Sequence, residues 1–394
     1  MPIELKFTGE IITPVFMAGI NPELPELRIT SFKSILRYWT RVLLSNFNYN
    51  LFMDEQLDTF ENYIFGGKVI KGKNEFYIKS PIGINITKPK FEKISFYDFQ
   101  KYGLKYLAFG FRKAQGRPAR YGFPAGTKFD FNIRINNKYS KQYFDDETLS
   151  EFLFISVWLS SYLGGYGART SRGFGSIIFS PKNEMKIKED ILPLFNNKDI
   201  KNINEYYERS FEIISKWVKK KLIDRYKIIS KNNSYGTFLE IYIIDKDYDN
   251  WDVALNELGD VYMKFRKSHR MKVLDISNGK HNYENFELAI FGLPINFYFP
   301  KRHLSAKLFG FSDSIKYERW ASPLKFKIIK INGKYKIILL LNKNRIFKKD
   351  LKLKIKGKEY EIRNFYNKDI IEEFFNYLKL YYNFNKIEYT RNSH

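Results

Sequence analysis

Between Lys128 and Phe179 the spacing of apolar residues changes twice, and few folds accommodate the result. Phe129, Phe131, Ile133 and Ile135 alternate with polar neighbours, the period of a strand covered on one face. Asp145-Asp-Glu147 then opens an apolar helix running to about Leu163, its acidic residues suiting the positive helix N-terminus. A loop rich in glycine follows, and Ser176 to Phe179 is again a short strand. Upstream, Ile3 to Ile12 reads as a strand, Thr30 to Phe47 as a helix and Phe76 to Ile84 as a second strand. The order is β-α-β-β-α-β, the ferredoxin-like (RRM-like) arrangement.

The second half mixes the same elements less legibly. A charged helix is expected over Asn204 to Ile229, a strand over Thr237 to Ile244, a helix over Trp251 to Lys267 and a strand near Leu288 to Tyr298. A hairpin from Leu324 to Leu341 should turn at Asn332-Gly333, and a last helix should cover Lys368 to Tyr382. The expected class is α+β. Its domains are 1–180, carrying a basic loop-like insertion at about 88–126, and 204–394, joined by a polar linker at 181–203 that contains Pro181 and Pro193.

Charge narrows the partners. Lys and Arg number 67 against 43 Asp and Glu, a formal net charge of +24, which favours a polyanion such as nucleic acid or an anionic membrane surface. No run approaches the roughly 18 apolar residues of a spanning helix, and residues 1–20 lack the pattern of a signal peptide, so the expected location is cytoplasmic. The absence of cysteine excludes disulfides and thiolate metal sites, four histidines leave little for imidazole sites, and no cofactor is expected.

Three segments concentrate what could hold a phosphate. Gly164-Gly165-Tyr-Gly167-Ala-Arg169-Thr-Ser-Arg172-Gly173-Phe-Gly175-Ser176 packs five glycines and two arginines into thirteen residues, and glycines can turn backbone amides into an anion-binding nest. On the first helix Lys33, Arg37 and Arg41 form a row at i, i+4, i+8, with no acid in the helix to offset it, beside an apolar stripe of Phe32, Ile35, Leu36, Trp39 and Leu43. Residues 101–135 carry Arg112, Arg117 and Arg120 among eight cations against Asp130 alone, interleaved with Phe109, Phe111, Tyr121 and Phe123. Cations with aromatic faces between them suit single-stranded nucleic acid.

Other chemistries fit poorly. Gly67-Lys-Val-Ile-Lys-Gly72-Lys73-Asn74 lacks the Ser/Thr of a P-loop and leads into a strand. The glycine run has Thr170 where a dinucleotide motif needs its third glycine, and it follows a helix. Met1 to Ser268 contains no histidine, which argues against histidine-based RNA cleavage; His269, His281 and His303 all lie in the second half.

Several motifs together resemble the RAMP superfamily, and within it subunit one of the Cmr complex, the type III-B CRISPR effector. They are Ile12-Thr-Pro-Val-Phe-Met-Ala-Gly19, Leu27-Arg28, Ser31-Phe-Lys-Ser-Ile-Leu-Arg-Tyr-Trp-Thr-Arg41, Phe65-Gly-Gly67, the run from Gly164 to Gly175, Phe291-Gly-Leu-Pro294 and Arg319-Trp-Ala-Ser-Pro-Leu324. Ala18 stands where that family often has a glycine, and Thr40 where a second aromatic is common. The resemblance implies two ferredoxin-like domains in tandem and a non-catalytic subunit that contacts guide RNA near its 3′ end, target RNA, or both, beside other Cmr subunits. On that reading Lys33, Arg37, Arg41, Arg112, Arg117, Arg120, Arg169 and Arg172, with the amides of Gly164, Gly165, Gly167, Gly173 and Gly175, track backbone phosphates. The rivals are a metal-independent RAMP-type endoribonuclease that processes CRISPR RNA, and a structural adaptor without RNA contact.

Overall fold

The computed structural model describes residues 3–46, 61–71, 74–114, 116–136, 145–182, 187–196, 200, 202–223, 239–269, 271–278, 286–312, 315–317, 319–342, 351–362 and 369–387. In the first half, β1 (Ile3–Ile11), α1 (Ile29–Asn46), β2 (Ile82–Ile86), α2 (Tyr102–Ala108), β3 (Lys128–Ile135), α3 (Asp146–Tyr162) and β4 (Ile177–Pro181) follow one another. Their sheet has the order β2-β3-β1-β4, with every neighbouring pair antiparallel. Alternation in β3 does what its period dictates: Phe129, Phe131, Ile133 and Ile135 are buried. The second expected strand is shorter than read, because Phe76 belongs to a separate hairpin, Gly67–Lys71 with Asn74–Ile78.

Helices α1 and α3 pack against each other. Asp145 caps α3 by accepting from the Thr148 amide at 2.6 Å, and α3 is buried from Thr148 through Tyr162. Phe32, Leu36, Trp39 and Leu43 of α1 are buried, as their spacing requires. Thr40 is buried too, its hydroxyl 3.3 Å from that of Ser156 on α3, so a small polar pair sits between the two helices.

In the second half, α4 (Ile203–Val218), β5 (Leu239–Ile244), α5 (Trp251–His269), β6 (Leu324–Ile331), β7 (Lys334–Asn342), α6 (Asp369–Lys379) and β8 (Phe384–Ile387) form a sheet of order β6-β7-β5-β8, again antiparallel throughout. From β5 to β8 the elements run β-α-β-β-α-β, the same order and sheet topology as in the first half. Asn332 and Gly333, at φ 50° and 77°, make the expected two-residue turn. A further antiparallel sheet, built from Ile295–Phe299, Leu304–Ser312, Leu351–Ile355 and Lys358–Ile362, is inserted into this order.

Four further expectations change. The strand expected near Leu288 to Tyr298 begins only at Ile295, because Glu287–Phe291 forms a 3-10 turn. The 88–126 segment is ordered: it contains a 3-10 turn at Phe96–Asp98, α2 and a second 3-10 turn at Phe109–Phe111, and Phe99, Leu104, Leu107, Phe111 and Phe123 anchor it in the core. The 181–203 linker also carries packed chain, since Ile187, Ile191, Leu194 and Phe195 are buried and Phe195 lies 4.7 Å from Phe154, ring to ring. Helix α4, assigned above to the second domain, packs on α3 of the first: Trp217 donates to Glu151 at 2.7 Å, and Trp158 donates to Tyr206 at 2.9 Å. The expected continuation of α4 beyond residue 223 lies outside the described residues.

The halves meet along an extensive seam. Helix α2 crosses α5 at Gly103 and Gly259, where a Cβ on Gly103 would stand 2.2 Å from the Asn256 carbonyl oxygen. The Asn256 side chain accepts from the amides of Gly103 and Leu104, capping α2, and Lys101 pairs with Asp252 at 2.7 Å.

Candidate nucleic-acid interface

The glycine run sits between α3 and β4, pressed onto α1 and the seam, and its glycines mostly permit close approach. Gly175, at φ 74°, would place a Cβ 2.0 Å from the Tyr166 oxygen; at Gly173, φ 84°, a Cβ would meet Leu255 of α5 at 2.4 Å. Several loop amides already have partners: Tyr166 donates to Gly175, Ala168 to Phe16, Gly175 to Pro14 and Ser176 to the Thr13 hydroxyl, all within 2.8–3.0 Å. The expectation of an open nest of outward amides is corrected accordingly. Gly164 and Gly165 pack against Ser160 and Thr170, and the Gly164 carbonyl accepts from the buried Lys327 ammonium at 2.7 Å. Gly167 alone of the five lines the groove described below.

Both loop arginines turn toward the seam. Arg169, in the left-handed region at φ 61°, which costs a non-glycine residue about 1 kcal/mol, donates from Nε to the Leu107 carbonyl at 2.9 Å and so places its charge at the C-terminal end of α2. Its pKa is lowered to about 10 by burial, and further by Arg172 beside it, which leaves it cationic at neutral pH. Arg172 donates to the Phe291 carbonyl at 3.2 Å, and its guanidinium lies 4.9 Å from the Tyr262 ring centre. Leu293 and Trp320 exchange backbone hydrogen bonds of 2.9 and 3.0 Å, so the two second-half motifs adjoin each other and the glycine loop. Each guanidinium has five donors, and these bonds leave several unspent.

The row on α1 is also altered. Arg37 and Arg41 both bond the carboxylate of Glu61, which is fully buried, and Arg37 further donates to Asn62 at 2.5 Å. Sequence spacing missed Glu61 because the offsetting acid lies 20 or more residues downstream, outside the helix. Lys33 is half-buried, and burial together with the neighbouring Arg37 holds its ammonium below the usual lysine range. The row is a partly exposed ion-pair network anchored from below.

Among the three segments, the insertion exposes its cations best. Arg112, Arg117 and Arg120 are exposed, with Ala114 and Arg117 closing a tight turn between them. Phe109 is 53% exposed and carries the Arg112 guanidinium 4.0 Å from its ring centre. Phe111 and Phe123 are buried instead, and Phe111 stacks on Phe16 at 3.7 Å, so they serve the core and are unavailable to bases. Arg120 borders a groove of about 470 Å³ whose other walls are Phe16–Ala18, Gly167–Ala168, and Thr30, Ser31 and Ser34 on the first turns of α1. No acidic residue stands in that first turn, so hydroxyls, the positive helix end and Arg120 face one concavity. Of the histidines, His269 packs on Phe265 within α5 with Glu373 3.2 Å away, and His303 is exposed in a turn; neither borders this groove.

The RAMP superfamily model matches residues 8–178. Two curated proteins of Pyrococcus furiosus are similar: CRISPR system Cmr subunit Cmr1-2, 25% identical over 189 residues, covering 46% of this chain and 98% of that protein, and Cmr1-1, 23% identical over 337 residues and 84% of each. The fold is shared with Cmr1 from the same organism in its apo form, at a TM-score of 0.60 and 17% identity over 98% of each chain. A chain of the type III-B Cmr-beta complex bound to cognate target RNA matches at a TM-score of 0.54 and 16% identity, over 96% of this chain and 99% of that one. Over residues 8–178 the chain thus resembles the RAMP superfamily, and it is similar to the Cmr1 subunits of Pyrococcus furiosus.

Proposed function

We propose that the chain is a non-catalytic RNA-binding subunit of a type III-B CRISPR (Cmr) interference complex, with guide or target RNA and other Cmr subunits as its partners, acting in the cytoplasm. It is built of two ferredoxin-like units in tandem, and the packing of α4 on α3 favours a boundary after α4 rather than near residue 204. The observation that carries the functional reading is the row of exposed Arg112, Arg117 and Arg120, with Phe109 among them, leading into the groove at the α1 N-terminus. Arginines on a folded platform neutralise phosphates at fixed spacing without reading sequence, which suits a subunit whose specificity comes from base pairing elsewhere.

The test is a titration of the purified chain with single-stranded RNA at several salt concentrations, with the products run on a gel. Binding without cleavage, weakening linearly in log[salt], supports the reading. Cut products would favour the endoribonuclease, and no binding the adaptor.

A further inference from the structure

Three guanidinium groups meet at the seam without an acid between them. Arg172 and Arg266 lie over the same Tyr262 ring, at 4.9 and 5.5 Å from its centre, and Arg169 stands within electrostatic reach of both. Arg266, on α5, donates to the Tyr106 hydroxyl at 3.2 Å, one residue before the carbonyl that holds Arg169. Among the described residues none of the three forms an ion pair. Carbonyls and aromatic faces position these cations but do not neutralise them, and like charges brought together out of water repel strongly.

Two further features suit an anion at this place. Among the described residues the Arg266 Nε and the hydroxyl of the fully buried Tyr262 have no hydrogen-bond partner beyond each other, although buried polar groups are rarely left so under-satisfied. Gly110 is exposed directly beside Arg169: a Cβ there would lie 3.4 Å from the Arg169 Cζ and Nη1, so any larger side chain would sit on the guanidinium.

We propose that Arg169, Arg172 and Arg266, with Tyr106 and Tyr262, form a phosphate site at the junction of the two halves, entered beside Gly110 and occupied by one phosphate of the bound RNA. The proposal rests on the RNA reading above and adds to it a residue from the second half, so that the site is complete only when α5 is docked on the glycine loop. Planar guanidinium groups and phenol hydroxyls supply several donors to one tetrahedral anion, and they suit a phosphodiester inside the chain or a phosphomonoester at its end.

Gly110→Leu covers the entrance without removing a charge, and Arg266→Gln removes one cation. Inorganic phosphate should raise the melting temperature of the wild type more than chloride does at equal ionic strength, and the excess should vanish in both variants. RNA affinity should fall about tenfold in each, with the log-log salt slope flatter by about one phosphate. RNA carrying a terminal phosphate, compared with the same RNA ending in a hydroxyl, tells the sources apart: preference for the former assigns the monoester, and equal binding the diester. If Arg266→Gln does not fold, Gly110→Leu carries the test alone. No excess phosphate protection, with RNA bound equally by wild type and Gly110→Leu, overturns the site and leaves the RNA reading standing. Phosphate protection lost on Gly110→Leu, with no RNA bound by the wild type, keeps the anion site but overturns RNA as its ligand.

Discussion

Replacing Lys327 by methionine should abolish a pH dependence that the wild-type fold cannot avoid. The Lys327 ammonium is fully buried on β6, with its hydrogen bond to the Gly164 carbonyl at 2.7 Å, and burial lowers its pKa from 10.5 to about 7. In the unfolded chain the same amine titrates near 10.4. Between about pH 7 and pH 10.4 the unfolded state therefore binds more protons, and stability rises with pH across that window. At about 1.4 kcal/mol per pH unit, the wild type should gain on the order of 3 kcal/mol from pH 7 to pH 9.5 that Lys327→Met does not gain. The lost hydrogen bond to Gly164 shifts the variant by a constant amount, so only the difference in slope reports the titration. Urea unfolding of both proteins, followed by tryptophan fluorescence at pH 6.5, 8 and 9.5, measures it. Parallel stability-versus-pH curves would refute the burial argument; converging curves, with the wild type approaching the variant at high pH, are expected.

Other perturbations separate structural from binding roles. Gly103→Val puts a branched side chain where a Cβ alone would stand 2.2 Å from the Asn256 oxygen; it should destabilise the seam by about 3 kcal/mol or more, read as a lower unfolding midpoint. Glu61→Gln removes the carboxylate beneath Arg37 and Arg41, which remain about a third exposed, and should cost about 2 kcal/mol of stability. If those arginines also touch RNA, the same change should tighten RNA binding by removing one negative charge beside them, and unchanged affinity would make the row purely structural. Phe109→Ala should weaken binding of single-stranded RNA by about 1–3 kcal/mol while leaving the salt slope unchanged, because stacking displaces no counterions; equal loss with duplex RNA would refute a stacking role.

Local periodicity carried much of both halves of the fold. Lys128–Ile135 and Leu324–Ile331 occupy the strands that their alternation and the Asn332-Gly333 turn require, and α1 buries the stripe read from its spacing. What the sequence concealed depends on residues far apart in the chain. The 88–126 segment looks like a loop because its anchors, Phe99, Leu107, Phe111 and Phe123, are spaced irregularly and packed by distant partners such as Phe16 and Phe174. The 181–203 stretch is polar in composition yet sends Leu194 and Phe195 into the core. For the candidate site, the cations were legible and their environments were not: Glu61 under Arg37 and Arg41, Leu107 behind Arg169, and Arg266 beside Arg172 are each supplied by another element. The glycine run reads as an anion-binding nest in the sequence, whereas what packs against it in the structure is the second half of the chain.

The most direct test of the account compares the wild type with the triple variant Arg112→Ala, Arg117→Ala, Arg120→Ala for binding of single-stranded RNA across a salt series. All three side chains are exposed, so the variant should fold normally. With each lost phosphate contact worth about 0.7 in the log-log slope, the account predicts a slope flatter by about two and much weaker affinity at low salt, without cleavage by either protein. A wild type that binds RNA with the same affinity and slope as the triple variant would contradict it.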